Sequence, residues 1–179
     1  VLPKNTTTEM LPQFIRSVLL TKYIFQNMEL INYKTGIFVR KIKTPDTGVH
    51  VGDQLLNING ITVAGMKPQE IYNIINRIDI MESINTNIKS RPYGKIHQLH
   101  KDLTGNIIGV TLKNKKITNI IRDTSCARNG VLIDHYIVNV DGKDVTSYNN
   151  TQLIEYIKMR SNIVTIIVYP DNFYKALKL

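Results

Sequence analysis

One segment of this chain occurs twice. Gly48, Val49, Asn57, Gly60 and Val63 return as Gly130, Val131, Asn139, Gly142 and Val145, each pair 82 positions apart with no gap. A fixed period of that length marks a copied structural unit. Two copies are too few for a stacked solenoid, so they read as two sequential domains, each closing its own small core. A length of 179 residues suits two such domains.

Both copies carry the same order of elements. Leu55 and Ile58 in the first, and Ile137, Val138 and Val140 in the second, mark a short strand. It ends at Asn59-Gly60 or Asp141-Gly142, the strongest short-range hairpin signal. A helix follows in each, because Ile71, Ile74, Ile75 and Ile78 recur at helical spacing, as do Leu153, Ile154 and Ile157. Pro68 fits a first helical turn, and Asn149 or Asn150 offers an N-cap. Closing strands run from Ile84 to Ile88 and from Ile163 to Tyr169, the second stopped by Pro170. Upstream, Met28 to Asn32 pairs with Gly36 to Arg40, and Val110 to Asn114 with Ile117 to Ile121 across Asn114-Lys115. The fold class is α+β: each domain is a small, strongly bent antiparallel sheet or partial barrel capped by two helices. The expected division is an N-terminal segment 1–14, a first domain 15–89, a short linker 90–94, a second domain 95–170 and a tail 171–179.

Composition narrows the class of protein. The chain is 42% hydrophobic and 21% charged, without a run of 18 apolar residues, which fits a soluble globular protein with no transmembrane span. Val1-Leu2-Pro3-Lys4-Asn5-Thr6 has no apolar core after a basic start, so it does not read as a signal peptide. Cys126 is the one cysteine, which removes intrachain disulfides and cysteine-based zinc sites and suits a reducing cytosol. The net charge of +9 is shared: residues 1–94 hold 11 Lys and Arg against 7 Asp and Glu, and residues 95–179 hold 12 against 7. Nucleic acid, an anionic membrane and acidic peptides are all attracted by such a balance.

The stretch Val51-Gly52-Asp53-Gln54-Leu55-Leu56-Asn57-Ile58-Asn59-Gly60 resembles the segment that PDZ domains carry before their long helix. Ala127-Arg128-Asn129-Gly130-Val131-Leu132 with Val138-Asn139-Val140-Asp141-Gly142 resembles it again, Asp134-His135 replacing Gly-Asp. The resemblance implies tandem PDZ domains. Such domains bind a ligand's C-terminal residues as an added strand and hold the terminal carboxylate on backbone N–H groups in a loop.

On that resemblance, the second domain's carboxylate loop is Ile107-Ile108-Gly109 and its ligand-pairing edge is Val110-Thr111-Leu112. Asn150, Ile154 and Ile157 would line the facing helix, although spacing alone fits both isoleucines equally well to the core. Asn150 stands where many PDZ domains carry a histidine that selects Ser or Thr, and it implies a broader preference. In the first domain the corresponding residues are Gln26, Asn27 and Met28 in the loop and Pro68, Tyr72 and Ile75 on the helix. Asn27 replaces the loop glycine and Pro68 offers no polar side chain, so a weaker or differently selective groove is expected.

Some PDZ domains also bind phosphatidylinositol bisphosphate headgroups through lysines beside the groove. Lys101 and Lys113 match two such positions in the second domain, and Lys22 matches one in the first. Lys115 and Lys116, on a hairpin turn, would add to the field near a membrane. The resemblance thus implies a cytoplasmic scaffold, peripheral at the inner face of the plasma membrane or endosomes. Its implied partners are phosphatidylinositol bisphosphate and the tails of transmembrane proteins such as syndecans.

Other function classes find little support. His50, His97, His100 and His135 are scattered, and His97 and His100 point to opposite faces of a strand. No nucleophile elbow, phosphate-binding glycine loop or carboxylate pair stands out, so neither an enzyme nor a metal or cofactor is expected. A Cys126–His135 dyad would need an open thiol, and the domain pattern puts Cys126 in a short helix behind the core. No zinc finger, helix-turn-helix or interleaved aromatic motif points to nucleic acid. The remaining alternative is an oligomerisation or structural module with only the second groove active. Leu177-Lys178-Leu179 has the apolar-x-apolar form such a groove accepts, which would support self-association if the protein ends there.

Overall fold

The structure, a computed structural model, describes residues 14–102 and 109–179. Over these residues the chain divides into two compact units, one holding residues up to Tyr93 with Ala176–Lys178 and the other Gly94–Lys175 with Leu179. The first unit contains β1 (Ile15–Thr21), α1 (Lys22–Gln26), β2 (Met28–Tyr33), β3 (Gly36–Ile42), β4 (Gln54–Ile58), β5 (Ile61–Thr62), α2 (Pro68–Asn76) and β6 (Ser83–Lys89). Its antiparallel sheet has the order β1-β6-β4-β3-β2, with β5 beside β4. The second unit contains β7 (Lys95–His100), β8 (Val110–Lys113), β9 (Lys116–Ile120), α3 (Ser125–Arg128), β10 (His135–Val140), β11 (Lys143–Asp144), α4 (Asn150–Met159), β12 (Ile163–Pro170) and α5 (Asp171–Ala176). Its sheet order, β7-β12-β10-β9-β8 with β11 beside β10, repeats the first.

The 82-residue register survives in the backbone. Strands β5 and β11 are offset by it, as are the starts of α2 and α4. The bulge in β2 between Glu29 and Leu30 returns in β8 between Thr111 and Leu112. Both Asn/Asp-Gly turns have two consecutive positive φ angles, 46° and 81° at Asn59-Gly60 and 49° and 87° at Asp141-Gly142. That is the twist-matched turn a tight hairpin needs.

Each helix begins where its sequence allows. Pro68 is the first residue of α2, where a missing N–H costs nothing. Asn149 caps α4 in a capping box: its side chain accepts from the Gln152 N–H, and the Gln152 side chain accepts from the Asn149 N–H. Ile71 and Ile75 of α2 are buried with Leu20, Phe25, Ile58 and Ile84 in the first core. Leu153 and Ile157 of α4 are buried with Leu99, Ile117, Ile137 and Val164 in the second.

Three details refine the sequence expectation. Residues 90–93 are not a free linker but part of the first unit. The Arg91 N–H donates to Asp53 Oδ1 at 3.0 Å, and the Tyr93 ring meets Tyr33 edge-on at 5.5 Å between centroids. From Asp171 the tail forms the helix α5, which packs on the second unit: Tyr174 stacks on Tyr136 at 3.7 Å and Phe173 meets Tyr169 at 5.3 Å. Finally, in the first domain's expected carboxylate loop, Met28 opens β2, Asn27 is a helix C-cap and Gln26 ends the helix α1. Its N-cap Thr21 accepts from the Ile24 N–H, which stabilises the turn locally.

Candidate functional site

Strand β8 ends its sheet, so one edge of Val110, Thr111 and Leu112 has no strand partner among the described residues. An unpaired edge of this kind is a template for strand addition. Gly109 leads into it at φ +88°, a conformation that residues with a Cβ rarely adopt. A Cβ there would lie 2.2 Å from both Cβ and Oγ1 of Thr124, so the approach of the two backbones requires glycine. Ile107 and Ile108 lie outside the described residues.

The opposite wall is α4, tied to the β8–β9 hairpin. The Lys115 N–H donates to Asn150 Oδ1 at 3.0 Å, and Lys115 Nζ donates to the Thr146 carbonyl at 2.8 Å. A backbone N–H can only meet the amide oxygen, so this bond commits the oxygen of Asn150 and leaves its NH₂ as a donor. Ile154 is half-buried and keeps surface on the helix. Ile157 has none: it is a core residue, and the role expected of it as pocket lining shrinks to supporting the helix from below.

In the first unit the corresponding residues are arranged differently. Gln26 ends α1, and the N–H of its C-cap Asn27 is already bonded to the carbonyls of Tyr23 and Ile24 at 3.2 and 3.1 Å. The Asn27 side chain also donates to the Tyr23 carbonyl at 2.9 Å. These groups are therefore not displayed as an anion cradle, contrary to the sequence expectation. Met28 and Ile75 are core residues, Pro68 opens α2, and Tyr72 reaches across to β2.

The lysines matched to a headgroup site have structural tasks. Lys101 Nζ donates to the carbonyls of Lys158 and Arg160 at the C-terminal end of α4. Lys22 Nζ does the same at the end of α2, to Asn76 and Ile78 at 2.9 and 3.0 Å. A cation at that helix end satisfies orphan carbonyls and complements the helix dipole. Lys113 is exposed at the hairpin end, near the start of α4. Within the second unit, Lys101 is held at the C-terminal end of α4, whereas the hairpin that carries Lys113 is tied to its start. Lys116 lies 3.8 Å from Asp134 and 3.7 Å from Asp171, which offsets its charge locally.

Cys126, in α3, has no accessible surface, and burial pushes its thiol up to about 12. A thiol so placed is neither open nor ionised, as a nucleophile must be. Among the described residues no group of three or more His, Cys, Asp or Glu side chains is placed to hold a metal ion. Nor is any described helix long and apolar enough to cross a membrane.

Two units of one sheet order, each with a free edge strand beside its long helix, define a tandem PDZ protein. No family model matches the chain. Human syntenin-1 is 32% identical over 154 residues, covering 84% of this chain and 51% of that protein. Mouse syntenin-2 is 29% identical over 146 residues, covering 79% of this chain and 49% of its own length. The solved INAD PDZ45 pair overlays on 91% of this chain and 94% of its own at 15% identity, with a TM-score of 0.37, too loose to bear on the site. The chain is a syntenin-like tandem PDZ protein. It spans about half the length of the curated relatives it matches.

Sequence reasoning located the edge strands, the long helices and Gly109. It missed the helix-capping role of Lys22 and Lys101 and the hydroxyl contacts of Tyr72. The one available signal for Tyr72 was the repeat itself, which sets it against Ile154 at 82 positions.

Proposed function

We propose that this chain is a non-enzymatic scaffold that binds the C-terminal tails of other proteins by strand addition to its second domain. The observation that carries this is the free edge of β8, entered through a positive-φ Gly109 and faced by α4. Main-chain bonding along such an edge supplies affinity, and side chains on the facing helix supply preference. Asn150, with its oxygen bonded to the Lys115 N–H, keeps its NH₂ as a donor. The groove then accepts Ser, Thr or other acceptor side chains at that place and does not refuse apolar ones. A pull-down with a random pool of C-terminal peptides tests the reading. Free-acid peptides are retained and their C-terminal amides are not; equal retention of both would overturn it.

The same proposal places the protein in the cytoplasm, at the inner face of the plasma membrane or endosomes, where tails such as those of syndecans are displayed. The net charge of +9, shared by both halves, favours an anionic surface. Lys113 supplies an exposed cation beside the groove, and Lys101 a second at its far end. Replacing both, as Lys101→Ala/Lys113→Ala, is expected to weaken binding to liposomes containing phosphatidylinositol bisphosphate by severalfold. Binding equal to the original chain would remove the lipid part of the proposal and leave the peptide part standing.

A further inference from the structure

We propose that the chain offers one open peptide groove rather than two, because Tyr72 closes the first groove by bonding the main-chain groups a ligand strand would take. Strand β2 ends its sheet as β8 does, and the side of it facing α2 is its free edge. Residues two apart on a strand direct their main-chain groups to the same side. Met28 and Leu30 are such a pair, and one polar group of each is already bonded to the same side chain. The Tyr72 hydroxyl donates to the Met28 carbonyl at 2.7 Å and accepts from the Leu30 N–H at 3.0 Å. One side-chain oxygen thus does for this edge what an incoming strand does with its N–H and C=O.

Two further observations agree. The N–H of Asn27, at the entrance of the same groove, is spent on the carbonyls of α1, so no carboxylate cradle is displayed there. At the matching position of the second copy stands Ile154, which has no hydroxyl, so Val110 and Leu112 cannot be closed in the same way. The Tyr72 phenol is also held protonated: burial pushes its pKa above the ordinary tyrosine value, so it keeps the proton it donates. A ligand entering the first groove must therefore break two satisfied hydrogen bonds before making its own.

The test uses the whole chain labelled with ¹⁵N, and it compares the original with Tyr72→Phe, which keeps the ring, and Tyr72→Ile, which copies position 154. In both variants hydrogen exchange at the Leu30 amide is expected to rise about tenfold, with Leu112 unchanged. With a pool of free-acid heptapeptides, the original chain is expected to show shifts at Val110 and Leu112 and none at Leu30. Unchanged exchange at Leu30 in both variants would overturn the proposal, as would peptide-induced shifts at Leu30 in the original chain. The comparison with Leu112 rests on the proposed function, but the exchange measurement does not. Failure of all peptide binding would sink that function while Leu30 exchange still decides the role of Tyr72.

Discussion

Replacing Asp53 with alanine is expected to lower the stability of the first domain by about 3–5 kcal/mol, the range for removing one member of a buried ion pair. Asp53 has no accessible surface. It accepts from Arg16 Nη2 at 2.9 Å, from the His50 N–H at 2.8 Å and from the Arg91 N–H at 3.0 Å. Arg16 is itself buried at its charged end and also donates to the Gly48 carbonyl and to Ser90 Oγ. Without the carboxylate, a buried guanidinium and two N–H groups lose their acceptor together. Against a domain stability of about 5–15 kcal/mol, that is a large share. Chemical denaturation of the full chain should show the first domain's transition moving to lower denaturant and the second's staying in place. Asp53→Asn, which keeps the shape and an acceptor oxygen but not the charge, should lose less; a loss equal to that of alanine would mean that the charge facing Arg16 sets the whole effect.

The same residue has a pH signature. Burial works to raise the Asp53 pKa, but a hydrogen bond from His50 and the charges of Arg16, His50 and Arg91 outweigh it and hold the value below the ordinary one. The folded state therefore binds this proton less readily than the unfolded state does. Its contribution is present above the unfolded carboxylate range, about pH 4, and is lost as pH falls through the lower folded value. The Asp53→Ala chain should lack that part of the acid limb.

Gly109→Ala is expected to weaken binding of C-terminal peptides at least about tenfold, since a left-handed residue with a Cβ costs about 1–2 kcal/mol before any clash. The clash is severe in addition. The new Cβ would meet the Cβ of Thr124 at 2.2 Å, an atom fixed to the backbone that cannot swing aside. Thr124 is held in turn, donating to the Ile121 carbonyl at 2.7 Å and capping α3. The Gly109 carbonyl accepts from the Ile121 N–H at 2.8 Å, so relief by moving the loop breaks that bond. The entrance of β8 must shift, and with it the groups that would hold a carboxylate. Peptide titration against Gly109→Ala measures this directly. Affinity within twofold of the original would show that the entrance of β8 takes no part in binding.

The architecture was legible because the repeat fixed the alignment of one half on the other. Asn59-Gly60 and Asp141-Gly142 specify their hairpins through local backbone preference, and the isoleucine spacing of α2 specifies its buried face. Local signals of this kind need no knowledge of distant contacts. The contents of the grooves were less legible. Ile157 and Ile154 are alike in spacing, and only packing decides that one is sealed in the core while the other keeps surface. Gln26, Asn27 and Met28 were expected as a loop by analogy with Gly109, but Asn27 in place of glycine allows an ordinary helix end at φ −101°. The Tyr72 bonds join residues 42 and 44 positions apart, and the Arg91–Asp53 bond spans 38. No window of local sequence contains such pairs.

The central claim is that β8 and α4 of the second domain form the working groove for a carboxylate-terminated strand. Its most direct measurement is the amide spectrum of the whole ¹⁵N-labelled chain titrated with one peptide recovered from the pool, as free acid and as C-terminal amide. The free acid should shift the signals of Gly109, Val110 and Leu112 and the side-chain NH₂ of Asn150, and the amide should shift them far less. Equal shifts from both forms, or shifts confined to residues away from β8 and α4, would contradict the account.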